Sequence, residues 1–388
     1  MIGAELELII LNSKSVPISW KDWILLRKDF EAVLHGRDYE ENYDILTGAF
    51  LGYYVKGIGT IGLDSSASLF EIALDPAENV DEAIGKLREL LDIVESALKR
   101  RQFSIFWKSQ YPDLISENEY QKRYTRRGLY AVIRKFWQWN HFELYLSASF
   151  QPAIDVSRDS LGDVLNAIYV TSPICISIFG GNGTNSIHEY RLLAWEKMIT
   201  KNERDSDMLG IPGKIKDWRD YISKLLSIRA KILTTEGTYK YGKLVFFDND
   251  ILAEQVINGT RGHVIERVID LYRDEVEVEE IEIKGENYLS QMDWWVFWDA
   301  RWRFFANKSF IEIRHIGTPR DLKGIRKIFD VFTRIMENSD LINKQAERLG
   351  VWDNIREARK SAILTGNVPQ NHEKLREILE SSRIIEPL

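Results

Sequence analysis

The feature that most narrows what this chain can fold into is a repeated one. Short apolar segments with period-2 alternation, far apart in the sequence, each place a glutamate or glutamine on one side. The first is Met1–Ile10 (MIGAELELII). Successive side chains of a strand point to opposite faces, so Glu5 and Glu7 share one face while Ala4, Leu6 and Leu8 share the other. The second, Ser68–Pro76, sets Phe70, Ile72 and Leu74 against Glu71 with Leu69 and Ala73. The third, Phe142–Gln151, has a polar face of Glu143, Tyr145, Ser147, Ser149 and Gln151 opposite Leu144, Leu146, Ala148 and Phe150. In the fourth, Phe310–Ile316, Glu312 and Arg314 share a face and Ile311, Ile313 and His315 the other. All four carry the strand signal.

A sheet with one wet face accounts for any single segment of this kind. Four together predict a sheet that collects oxygen ligands on one side, where repulsion and desolvation call for a cation. Hard cations such as Mg²⁺ or Mn²⁺ take oxygen ligands, and Mg²⁺ is held by few carboxylates together with substrate phosphates, which points to ATP.

The remaining pattern is helical. Apolar spacing predicts helices over Trp20–Leu34, Val80–Leu98, Glu117–Trp137, Leu161–Ile178 (with Pro173 as a point of kinking or division) and Ile215–Ile228. Leu322–Ser361 reads as helix with one break near Gly350, and His372–Ser381 as a last short helix. Strands and helices mix without a regular βαβ beat, so the expected class is α+β with an antiparallel sheet. The expected division is residues 1–320 as the catalytic domain and 321–388 as a helical region packed on it. Short strands are expected within Ile232–Gly259. The acidic alternation of Glu275–Lys284 reads as an exposed edge strand or hairpin arm, with more carboxylates than any ligand demands.

Net charge is −7, from 52 basic and 59 acidic residues, and no basic stripe stands out; nucleic-acid binding is therefore not expected. The basic runs Lys99–Arg101, Lys122–Arg123 and Arg126–Arg127 read as solvated faces or salt-bridge partners. No apolar stretch reads as long enough to cross a bilayer, and no signal peptide is evident, so a cytoplasmic protein without membrane contact is expected. The single cysteine, Cys175, lies among apolar neighbours and fits a buried, inert thiol in a reducing compartment.

The six histidines (35, 141, 188, 263, 315 and 372) show no zinc-motif spacing. Phe179–Thr184 (FGGNGT) is glycine-rich but lacks the Gly-Lys-Ser/Thr of a P-loop, and a turn is the simpler reading. Arg191, Arg301 and Arg314 are of more interest. Guanidinium groups bind carboxylate and phosphate bidentately and stay charged, although each one alone is equally consistent with a surface salt bridge.

Taken in order, these segments resemble the glutamate–cysteine ligase family, in its plant and bacterial carboxylate–amine ligase branch. Gly3-Ala4-Glu5-Leu6-Glu7 is similar to that family's G-x-E-x-E strand, and Leu69-Phe70-Glu71-Ile72 with Pro76 to its Q-F-E-L motif. Ser147–Asp155 resembles T-x-x-V-Q-V-x-L-D, and Ser172–Phe179 resembles Q-P-I-x-x-A-L-F. Tyr190-Arg191 with Trp195 resembles M-R-x-x-x-W; Asp299-Ala300-Arg301 and Phe310–Arg314 resemble E-V-R and Y-L-E-x-R. The likeness runs from residue 3 to about residue 320.

The resemblance implies a glutamine synthetase-like fold, a curved antiparallel half-barrel sheet flanked by helices. It implies an ATP- and Mg²⁺-dependent (or Mn²⁺-dependent) ligase that joins glutamate to an amine, cysteine being the commonest, through an acyl phosphate, as in glutathione biosynthesis. By position it implies Glu5, Glu7, Glu71, Gln151 and Glu312 as metal ligands, Gln151, Arg301 and Arg314 at the nucleotide, and Arg301, Arg314 and Arg191 as catalytic groups, with Arg191 facing the acceptor carboxylate or the phosphoryl group. The partners expected are small molecules, with a homo-oligomer possible. The chain departs from the family's pattern at Ser65, where the family often has an acid (the nearest here is Asp64), at Ser65–Ser68 in place of a glycine-rich approach, and at D-A-R for E-V-R. His141 and Glu143 are substitute ligand candidates. These departures bear on the substrates. A different acid and amine pair, a non-catalytic scaffold and a metal-dependent hydrolase are the competing readings; the last would usually show histidine on the acidic faces.

Overall fold

The alternation of the first segment sorts as the pattern predicts. In strand β1 (Ile2–Leu11), Ala4, Leu6 and Leu8 are buried while Gly3, Glu5 and Glu7 stay partly accessible. The computed structural model describes residues 1–386 apart from 113–116, 138–141, 182–186, 201–202, 236–242, 249, 271–274 and 306–307. Its strands continue with β2 (Tyr39–Tyr43), β3 (Phe50–Val55), β4 (Gly59–Leu63), β5 (Leu69–Leu74), β6 (Ser104–Phe106), β7 (Phe150–Asp155), β8 (Leu209–Gly210), β9 (Ile232–Thr234), β10 (Leu244–Phe246), β11 (Thr260–Asp270), β12 (Glu275–Ile283), β13 (Phe297–Trp298), β14 (Ala300–Phe305) and β15 (Lys308–Ile313). The helices are α1 (Trp20–Leu34), α2 (Val80–Lys99), α3 (Glu117–Gln121), α4 (Gly128–Trp137), α5 (Leu161–Phe179), α6 (Tyr190–Ile199), α7 (Trp218–Ser227), α8 (Ala253–Asn258), α9 (Leu322–Glu337), α10 (Ser339–Arg348), α11 (Ile355–Thr365) and α12 (Gln370–Ser381).

The class is α+β, built on a large antiparallel sheet. Nine strands run in the order β14-β15-β7-β1-β5-β4-β3-β2, with β6 also paired to β1. One face of this sheet is apolar and packs on helices: α2 lies on β1, β4 and β5, α9 on β7, and α5 on β14. A single core cluster runs through that layer from Ile2 to Ile385 and takes in Leu6, Phe70, Phe150, Ile168 and Phe329. The helices after residue 321 join it, with α9, α10 and α11 packed on α5. The alternating strand Glu275–Ile283 is indeed a hairpin arm, the outer strand of a second sheet ordered β12-β11-β10-β9.

Several expectations are corrected. Phe142–Leu146 is a 3-10 turn, and the strand starts at Phe150 and runs to Asp155. Five residues do not separate the two periods, and tertiary bonds decide the outcome: Ser147 Oγ donates to Leu144 O, and Ser66 Oγ donates to Tyr145 O. The helix over 117–137 is two, α3 and α4. Between them the backbone bonds to the segment after β4, with Ala67 N donating to Arg123 O at 2.7 Å and Thr125 N to Ser65 O at 3.3 Å, so pairing across the fold overrides helical propensity. Pro173 lies inside an unbroken α5. That helix is also long and apolar enough to span a bilayer, against expectation, with 89% of its apolar window buried in the protein; a helix apolar all round is also what a core helix looks like. The break in Leu322–Ser361 comes at Asn338 as well as near Gly350. Helix α6 and strands β2, β3, β4 and β11 were not foreseen from the pattern.

Candidate functional site

Register brings the polar residues of four strands into one row. Glu7 on β1 stands opposite Glu71 on β5, and Glu5 opposite Gln151 on β7. Ala153, two residues along β7 and so on the same face, pairs with Glu312 of β15, and Glu312 in turn with Arg301 of β14. Glu5, Glu7, Glu71, Gln151, Arg191, Arg301 and Arg314 line one cavity of about 240 Å³. Glu5 and Gln151 also line a neighbouring cavity of about 540 Å³, and Glu312 opens onto that second one.

At one end of the row carboxylates predominate. Ser149 donates to Glu7 Oε2 from both its backbone nitrogen and its hydroxyl, each at 2.7 Å. Burial, and then the charge of Asp64, push the Glu7 carboxyl up to about 7, against the pull of Arg191. Glu71 is raised well above the usual carboxylate range by burial and then by Glu5 and Asp64, with Arg127 opposing. Asp64 is the residue that sequence reasoning set aside as one position out of place. It lines the cavity, accepts the Tyr130 hydroxyl at 2.5 Å and lies 3.8 Å from Arg127. Its neighbours explain the departure at Ser65–Ser68. Ser66 and Ser68 are buried and spend their hydroxyls on Tyr145 O and Ile18 O, fixing the turn that presents Asp64.

At the other end arginines predominate. Arg301 reaches Glu312 at 2.8 Å, Arg314 pairs with the same carboxylate, and Arg303 lies 3.9 Å away. Burial would raise Glu312, but Arg301, then Arg314 and Arg303, hold it at about 2. Three guanidinium groups around one carboxylate leave an excess of positive charge. Glu5 lies between the two ends: burial and Glu312 raise it, and the same arginines pull it down. Arg191 is buried, donates to Arg314 O at 2.5 Å, and its Nε has no hydrogen-bond partner among the described residues.

The walls of the smaller cavity are apolar and aromatic. Helix α4 supplies Tyr130 and Ile133, α6 supplies Trp195 and Met198, and the chain from Trp294 to Phe297 closes the side. Trp195 stacks on Phe297 at 4.3 Å between centroids, and the Arg314 guanidinium lies 5.6 Å from the Phe297 ring centre. Of these walls α4 falls within the helix expected over Glu117–Trp137, whereas the sequence pattern gives no signal for α6 or for the segment 294–297.

Asp299, read with Arg301 as one motif, has a different place. It is buried, accepts from Arg359 Nε at 2.8 Å and pairs with Ser172; Arg359 also pairs with Glu196 on α6. Although burial would raise it, Arg359 holds Asp299 below the usual range. The pair ties β14, which carries Arg301, and α6, which carries Arg191 and Trp195, to α11. His315 is buried behind the sheet, its Nδ1 bonded to Asp299 O at 2.9 Å. Cys175 is buried, its thiol pushed up to about 12 by burial. His141, the side chain of Glu143 and Asn182–Thr184 of the glycine-rich loop lie outside the described residues.

The donor set suits a hard divalent cation. It consists of carboxylate and amide oxygens, and the buried Gln151 Oε1 has no hydrogen-bond partner among the described residues. Among the described residues no three His, Cys, Asp or Glu side chains already stand at metal-holding distances.

No family model matches the chain, and comparison with curated proteins finds no match. Solved structures similar to it in overall shape include glutamate–cysteine ligase from Francisella tularensis in complex with AMP, at 12% identity and a TM-score of 0.48 over 99% of this chain and 78% of that one. A second is a bifunctional glutathione synthetase from Pasteurella multocida, at 11% identity and a TM-score of 0.39 over 98% of this chain and 49% of that one. Both are distant likenesses, and function has to be read from the side chains of the site.

Proposed function

We propose that this protein is an ATP-dependent carboxylate–amine ligase, with glutamate as the acid, working on one face of a glutamine synthetase-like sheet. The observation that supports this most is the row itself: oxygen donors at one end, an excess of arginine at the other, on adjacent antiparallel strands above connected cavities. In the reaction proposed, the terminal phosphoryl group of ATP passes to the acid's carboxylate, giving an acyl phosphate and ADP. The amine nitrogen attacks the acyl carbon, the bond to phosphate breaks, and the amine's surplus proton is lost, leaving an amide and phosphate. In the resembled family that amine is most often cysteine.

Glu5, Glu7, Glu71 and Gln151, with Glu312 as the further oxygen candidate, are proposed to hold Mg²⁺ or Mn²⁺, which when bound neutralises triphosphate charge. Arg301 and Arg314 are proposed to hold phosphoryl oxygens, as guanidinium groups do bidentately. Glu312 keeps both arginines in place, and because it balances only one of three positive charges the pocket still attracts an anion. Arg191 is proposed to face the acid's carboxylate or the phosphoryl group. A reducing, cytoplasmic setting is proposed on the single buried thiol.

The test is ADP release by the purified protein with Mg²⁺ and ATP, across pairs of acids and amines beginning with glutamate. ADP formed only when both acid and amine are present is the expected result. ADP formed without either, or no ADP together with no Mg²⁺-dependent ATP binding, would overturn the proposal.

A further inference from the structure

The smaller cavity is divided between two chemistries. Beside Glu7, Glu71 and Asp64 it is acidic, Arg191, Arg301 and Arg314 border it on the opposite side, and Tyr130, Tyr145, Trp195, Trp294, Trp295 and Phe297 supply aromatic surface. Gln151, 5% exposed, presents its unpartnered Oε1 between this cavity and the larger one. Such a cavity repels phosphate at its acidic end and draws in a cation. Aromatic faces favour both an apolar group and a nearby ammonium. A small polar amine leaves those walls uncovered, whereas an aromatic one buries them.

The larger cavity has few aromatic walls. Its floor is Gly3, Ala73 and Ala153, which share the site face with Glu5, and its sides carry both signs of charge, Arg303 and Lys308 with Asp155 and Glu312. A bare floor of small side chains in a cavity of about 540 Å³ leaves room for a nucleotide, so the aromatic walls are not needed for its base.

Resting on the ligase reading, we infer that the amine joined at this site carries an aromatic group. Its ring lies against Trp195 and Phe297, and its nitrogen lies toward Asp64, which leaves Glu7 and Glu71 to the metal. Asp64, held by the Tyr130 hydroxyl, positions the nitrogen. Selection among amines then comes from the α4 and α6 walls, apart from the arginines that handle the acid and the phosphoryl group.

The test is calorimetric titration of the full-length protein with phenethylamine, methylamine and cysteine, each alone and with saturating Mg²⁺ and a non-hydrolysable ATP analogue. Phenethylamine is expected to bind at least tenfold more tightly than either other amine, with and without the analogue. Trp195→Ala is expected to shrink that difference to threefold or less while leaving analogue binding unchanged; Met198→Ala, which removes a wall without an aromatic ring, is expected to keep most of it. Equal affinity for the three amines, or tighter binding of cysteine, would overturn the inference. So would loss of phenethylamine binding when the analogue is present, because the aromatic walls would then belong to the nucleotide base. Failure of the analogue to bind counts against the ligase, and it is seen separately because the amine titrations do not depend on it.

Discussion

Two ends of one strand face handle recessed carboxylates in opposite ways. Glu312 sits among Arg301, Arg303 and Arg314 and is held at about 2. Glu7 and Glu71 face each other across β1 and β5 with Asp64 beside them, and Glu7 rises to about 7. In the first the carboxylate has its cations in the protein and positive charge is left over. The second costs free energy until a cation arrives, since recessed like charges disfavour ionisation. Asp299, paired to Arg359 beside Arg191 and Arg314, shows that this chain supplies a partner where a carboxylate ties elements together. Carboxylates in a cavity without a cation beside them are therefore the ones proposed to take a metal, and those already held by arginine the ones proposed to fix the arginines.

The largest expected effect is on turnover. Glu71→Gln should lower it by roughly a thousandfold or more, on the scale of removing one preorganised electrostatic group, in an assay of ADP release. Glu312→Gln should be nearly as damaging but for a different reason, which melting experiments separate. It leaves buried arginines without their carboxylate and should cost about 3–5 kcal/mol of stability. Asp299→Asn should cost less, because Arg359 keeps Glu196 as a partner, and should affect kcat less than either glutamate variant. If Glu312→Gln and Glu71→Gln destabilise the protein equally, the contrast between the two ends is wrong.

The pH response should differ between the ends as well. Glu7 is raised in the folded state, so its contribution to stability is fully present below about 4.5, the value for an unperturbed glutamate, and is lost as pH rises through about 7. Metal-free protein should therefore lose stability over that window, while Mg²⁺ affinity rises across it as the carboxylate deprotonates. Glu312 is lowered, so its contribution is present above about 4.5 and is lost as pH falls toward about 2. Chemical denaturation at pH 5, 6, 7 and 8, with and without Mg²⁺, reads the first effect. The smallest effect should be that of Glu71→Gln on metal-free stability, neutral or a gain within ~1 kcal/mol, because it removes a repelled charge.

Much of the fold was legible where a local pattern coincides with burial. Glu5 and Glu7 against Leu6 and Leu8, Phe70 and Ile72 against Glu71, and the helices α1, α2 and α12 all follow from spacing. Spacing fails where a distant partner decides. Phe142–Leu146 alternates like a strand, yet its turn is set by Ser66 and Ser147; the gap between α3 and α4 is set by backbone bonds to Ser65 and Ala67. The site is legible in the same measure. That Glu7 meets Glu71 and Glu5 meets Gln151 needs register, which four separate strands do not announce. Asp64 stood one position from where an acid was sought, and only the packing of Ser66, Ser68 and Tyr130 shows why it still reaches the cavity. The Asp299–Arg359 pair joins residues 60 positions apart and has no local signature at all.

The most direct test of the central claim is the melting temperature of wild-type protein and Glu71→Gln at pH 7.5, each with and without Mg²⁺ plus a non-hydrolysable ATP analogue. The account predicts that the wild type gains several degrees on addition, roughly what ~1–2 kcal/mol of ligand stabilisation produces. It predicts that the variant melts at or above the wild type without metal and gains little on addition. A variant that melts well below the wild type without metal, or a wild type that gains nothing, would contradict it.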